Sequence, residues 1–157
     1  AYMNDGGAKG KELAAKYVAA VEKFDAAYAK FNETLNKVNA EQSKKQIEKL
    51  KKDGKKGYAA AMESTLRLTE LVDKLEKAPQ NADKAAVEKE LSKIEALLKS
   101  INNDRGQVLA DRYNSVVGDV RQVLADPSDN NLNNMIEGFN GYIDTYNSTT
   151  PDQFDAK

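Results

Sequence analysis

Leu13, Tyr17, Val21, Phe24, Tyr28, Phe31, Leu35 and Val38 follow one another at steps of three and four residues. Alternating threes and fours average to the helical repeat, so the eight side chains share one face of a helix in a coiled-coil-like stripe. Ile47 and Leu50 resume the pattern out of phase. No Gly or Pro lies between, so one long helix is predicted from about residue 11 to just before Gly54, with a phase slip near residues 39–43. Rings at this spacing read as core. Tyr17, Phe24, Tyr28 and Phe31 predict an aromatic layer inside a bundle, with Phe24 and Phe31 buried. The other use of such rings is to line a pocket for a small apolar ligand.

The same stepping recurs downstream. Met62, Leu66, Leu68, Leu71, Val72 and Leu75 make a broad apolar face over residues 58–77, and Pro79 stops that helix. Asp83 is placed to cap the next one, which carries Val87, Leu91, Ile94, Leu98 and Ile101. Residues 102–106, Asn-Asn-Asp-Arg-Gly, predict a break. A fourth helix carries Leu109, Tyr113, Val116, Val120 and Val123 and ends at Asp126-Pro127. Leu132, Ile136, Phe139, Ile143 and Tyr146 mark a fifth. Gly138 and Gly141 each lower its intrinsic stability by about 1 kcal/mol relative to Ala.

Short connections favour antiparallel neighbours. The expected fold is therefore all-α: an antiparallel up-and-down bundle of four to five helices with a long first helix. Residues 1–10 are expected to be a flexible lead, 11–147 the bundle and 148–157 a disordered tail.

Composition narrows the chemistry. The 157 residues suit one domain, which at this size buries roughly 70% of its unfolded surface. Cysteine and histidine are both absent. Thiolate metal sites, thiol catalysis, Ser–His–Asp triads and the Glu-x-x-His motif of di-metal bundles are excluded. Net charge is −1, but residues 126–157 hold six acidic residues and one basic residue. That balance does not call for nucleic acid. No apolar run is long enough to cross a bilayer. The Gly-rich residues 4–10 resemble a tether ahead of an exported domain. An extracytoplasmic location, periplasmic or at the cell surface, is expected from that lead, the absence of cysteine and the start at Ala1-Tyr2 without an initiator Met; an N-terminal membrane tether would fit the lead, and a trimmed boundary fits it equally.

Two polar segments are candidate sites. Residues 126–137 place oxygen-bearing side chains at positions 1, 3, 5, 9 and 12, the spacing of an EF-hand calcium loop. Asp126, Ser128, Asn130 and Glu137 would ligate the ion. Asn131 replaces the turn-forming Gly and Asn133 an apolar residue, so weak binding or a plain capped connection is expected. The second segment is the lysine run Lys44, Lys45, Lys49, Lys51, Lys52, Lys55 and Lys56, which could meet phosphate, anionic lipid or an acidic partner. Its plainer role is a solvated helix end whose charges complement the dipole. No cofactor is expected. The functional expectation is a non-enzymatic helical binding or structural module that contacts a protein partner. The alternative is a bundle holding an apolar ligand or a weakly bound calcium ion.

Overall fold

The computed structural model describes residues 2–156, with side-chain surroundings for residue 7 and from residue 9 onward. Among these residues there are six α-helices and no strand. They are α1 (Tyr2–Lys52), α2 (Lys56–Lys77), α3 (Lys84–Lys99), α4 (Asp104–Ala125), α5 (Asp129–Asn147) and α6 (Pro151–Phe154). The chain divides into two units, Ala1–Gln42 and Ser43–Lys157. The first is formed by α1 alone, and the last turns of α1 belong to the second.

Helix boundaries follow local chemistry. α1 ends in a glycine-dependent Schellman turn. Gly54 adopts φ 78°, its N–H donates to Lys51 O (3.3 Å), and the Lys55 N–H donates to Leu50 O (2.9 Å). Asp83 caps α3 by accepting from the N–H groups of Ala85 and Ala86. Asn103 caps α4 through the Gly106 N–H at 3.0 Å.

In the second unit, α2 to α5 pack as sequence neighbours across short connections, and α5 closes against α2. This is the antiparallel arrangement that short loops impose. Leu68, Leu75, Ile94, Leu98, Leu109, Val116 and Val120 fill its centre. Two buried tyrosines complete the core. Tyr113 donates its hydroxyl to Leu91 O at 2.5 Å. Ser64 and Thr65 both donate to Ala61 O, so the single hydrogen of Tyr142 is left to bond Ser64 Oγ at 2.9 Å. Burial pushes both phenols above their ordinary range. On α5 the innermost residues are Met135 and Tyr142, with Leu132, Phe139, Ile143 and Tyr146 packed beside them.

Three expectations need correction. The aromatic stripe is not core: Phe24 is 67% exposed and Phe31 61%. Periodicity defines a face but not what covers it, and the four later helices bury their faces on one another. The tail is ordered over its described residues, 148–156. It forms α6, and its Phe154 is 1% exposed. The lead is helical rather than flexible over its described residues, because α1 begins at Tyr2. Residue 1 lies outside the described residues.

Candidate functional site

Exposed large hydrophobic side chains gather on α1. Leu13, Tyr17, Val18, Val21, Phe24, Tyr28, Phe31, Leu35 and Val38 are all exposed. Among the described residues, Val108 is the one other large hydrophobic side chain so exposed. Exposed apolar surface is thus concentrated on 26 consecutive residues of one helix, from Leu13 to Val38. Single exposed hydrophobics are ordinary, whereas a contiguous patch marks an interaction site. Phe24 and Tyr28 stack on each other with centroids 6.0 Å apart, so these two rings form one surface.

Helix physics makes this face costly to leave bare. An isolated helix gains little beyond propensity, and most helical stability in proteins comes from packing an amphipathic face. The stripe is built from aromatic and β-branched residues, which have lower helix propensity than Ala. On the polar faces, the pairs Glu12–Lys16 and Glu33–Lys37, each 2.6 Å, add roughly 0.2–0.5 kcal/mol apiece. The exposed face therefore holds the side chains best suited to packing.

The lysine run is exposed throughout, but acidic partners interrupt it. Lys51 bridges Glu63 (2.9 Å) and Glu48 (3.4 Å), Lys44 approaches Glu70 (4.0 Å), and Lys55 pairs with Asp152 (3.2 Å). Lys44, Lys45, Lys49 and Lys52 share one shallow depression, with Glu48 and Asp53 among them. The seven lysines do not converge as one cationic cradle.

The calcium-loop residues are not brought together. Asp129–Asn147 is helical, so Asn130 and Glu137 sit about 10 Å apart along the helix axis. An EF-hand needs an irregular loop through those positions. Asn131 Nδ2 donates to the Asp126 carbonyl (2.8 Å) and carboxylate (3.4 Å), tying the connection to the first turn of α5. Ser128 occupies the N-cap position, but its side chain makes no capping bond. Among the described residues no group of three or more acidic side chains is placed to hold a metal ion.

A groove of about 720 Å³ runs between α2 and α3 near their shared turn. Leu71, Leu75 and Val87 form its floor, and Arg67, Glu70, Lys74 and Glu90 its rim. The rim is a connected charge network. Arg67 contacts Glu63 (3.1 Å) and Glu90 (2.6 Å), Lys51 reaches Glu63, and Lys93 reaches Glu90 (2.8 Å). Burial pushes the Glu63 and Glu90 carboxyls up. The hydrogen bonds from Lys51 and Arg67, and from Lys93 and Arg67, outweigh it and hold both below the ordinary 4.5.

The tail clasp is a feature the sequence reading missed. α2 has no side-chain cap of its own. Asp155 supplies one, accepting from the N–H of Gly57 (2.6 Å) and of Tyr58 (3.4 Å). Asn103 Nδ2 donates to the carbonyls of Phe154 (2.9 Å) and Ala156 (3.1 Å). Phe154 stacks with Tyr58 and Tyr146. The signal was Thr150-Pro151-Asp152-Gln153: a helix start with Pro at its first position and Gln three residues past the cap.

A family model described as a protein of unknown function (DUF3829) matches residues 1–125, so the chain belongs to that family. The match ends at the last residue of α4, and α5 and α6 follow it. No curated protein and no solved structure matches the chain.

Proposed function

We propose that this member of the DUF3829 family is a non-enzymatic helical module that binds a protein partner through the apolar face of α1. The observation that carries the reading is the concentration of eight exposed large hydrophobic side chains on that one face. The composition supports the non-enzymatic part, since the side chains of most acid–base and nucleophilic machinery, His and Cys, are missing. The expected place outside the cytoplasm rests on the sequence alone and is tested by fractionating cells of the source organism.

The test of the binding face is site-specific photo-crosslinking. A photoreactive phenylalanine analogue replaces Phe24 or Phe31 in the full chain, with Lys23 and Lys30 replaced in turn as controls. Protein adducts formed from Phe24 and Phe31 but not from the lysine positions support the reading. Equal labelling at all four, or none, contradicts it.

The α2–α3 groove favours a second reading, a bound small apolar ligand. Its volume falls in the usual ligand-pocket range of roughly 300–1,000 Å³, and its floor is apolar. Saturable binding of a hydrophobic fluorophore that is lost in Leu71→Lys would favour this reading.

A further inference from the structure

We infer that the partner of the α1 face is a second copy of this chain, joined to it as a coiled coil. This rests on the reading that the face binds protein. The stripe sets a heptad register in which Val21, Tyr28 and Leu35 occupy a positions and Tyr17, Phe24, Phe31 and Val38 occupy d. Three to four heptads of such spacing are what a coiled coil requires.

The flanking positions suit self-pairing. Side by side in parallel, two copies place Leu13 beside Val18, Ala20 beside Asp25, and Ala27 beside Asn32. None of these g–e contacts sets like charges together, so a second copy meets no electrostatic penalty. The small Ala20 and Ala27 also let a neighbouring helix approach closely. The lysines instead recur every seven residues at c, as Lys16, Lys23, Lys30 and Lys37, away from the seam.

That asymmetry separates a second helix from a membrane. An interfacial amphipathic helix carries a strongly basic polar face. Residues 9–42 hold six lysines and five acidic residues, so the unit is close to neutral.

The area is also sufficient. A ring buries roughly 150–250 Å² when packed. At exposures from 57% to 72%, Tyr17, Phe24, Tyr28 and Phe31 together offer on the order of 500 Å². The five exposed aliphatic side chains bring this toward the roughly 800 Å² per partner of a standard interface.

Sedimentation equilibrium of the full chain, from sub-micromolar to sub-millimolar, tests the inference. The expected result is a concentration-dependent rise from 17.3 kDa to twice that mass. Phe24→Glu with Phe31→Glu should stay at the mass of one chain throughout. Its melting transition for residues 43–157 should be unchanged, because neither ring lies in that core. Lys23→Glu with Lys30→Glu, at heptad position c, should still double in mass. A wild-type chain of single mass at every concentration overturns the inference, as does a doubly charged variant that associates like wild type. If the wild type stays single but Phe24 and Phe31 crosslink to a different protein, the binding face stands and the self-partner fails. If crosslinks are absent as well, both fail. A single-mass chain that co-sediments with phosphatidylglycerol vesicles through Phe24 and Phe31 replaces the second copy by a membrane and overturns the inference.

Discussion

Phe154→Ala should be among the most destabilising substitutions in residues 43–157, although it lies outside every amphipathic stripe. Its side chain is 1% exposed and stacks with Tyr58 at 6.2 Å and Tyr146 at 6.1 Å. Truncating a buried Phe costs about 3–5 kcal/mol, because transfer and cavity terms add. Each ring pair accounts for roughly 0.5–1.5 kcal/mol of that. Domain stabilities are only about 5–15 kcal/mol, so the loss is a large fraction. For a chain of this size each kcal/mol moves the melting temperature by about 2–4 °C, which gives a fall of roughly 10 °C. Far-UV circular dichroism would follow the melt, and the near-UV tyrosine signal would report the loss of the ring cluster. Phe31→Ala, truncating the same residue type on the exposed face, should cost under about 0.5 kcal/mol in dilute solution. A Phe154→Ala melt within about 2 °C of wild type would refute the clasp. Equal costs at 154 and 31 would refute the division between core and exposed face.

Other consequences are measurable. Asp155→Ala removes the carboxylate that caps α2 and should cost about 0.5–2 kcal/mol in urea denaturation. In Gly57→Ala the new Cβ would land on the Phe154 carbonyl, which is backbone and cannot rotate away. A destabilisation of about 1–3 kcal/mol is expected, with loss of the Tyr58 ring contacts by NMR. Glu63 and Glu90 titrate below 4.5 in the native state. Their stabilisation is full above that ordinary value and is lost as pH falls through the lowered native values. Urea midpoints should therefore drop more steeply below pH 4.5 in wild type than in Arg67→Met. Millimolar calcium should leave the amide resonances of residues 126–137 unmoved, and saturable shifts there would revive the ion-binding loop.

Much of the fold was legible because local chemistry decides it. Gly54 ends α1, Pro79 follows the end of α2, and Asp83 caps α3. Each depends on residues within a turn of one another. What failed to read through depends on distant groups. The spacing of Phe24 and Phe31 matches that of Leu91 and Leu98, both seven residues apart, yet only the second pair is buried. Tyr142 turns inward where Ser64, 78 residues away in sequence, accepts its hydroxyl hydrogen. Phe154 is core because Tyr58, Tyr146 and Asn103 wait for it, and a polar ten-residue tail gives no periodicity to announce that. The calcium spacing in 126–137 gathers no ligand set for a different reason. Asp129 onward is helical, and a helix separates side chains that a loop would gather.

Whether the α1 face is free surface within a single chain decides what it can bind, and tyrosine nitration reads this directly. The chain has seven tyrosines and no tryptophan or cysteine to compete for the reagent. Tyr17 is 72% exposed and Tyr28 57%, whereas Tyr113 and Tyr142 are buried. Peptide mapping after brief treatment at high dilution should find Tyr17 and Tyr28 modified at the rate of a free tyrosine, with Tyr113 and Tyr142 untouched. Raising the protein concentration should then protect Tyr17 and Tyr28 alone. Tyr17 and Tyr28 as resistant as Tyr142 at every dilution would show the stripe to be core within one chain and would contradict the account.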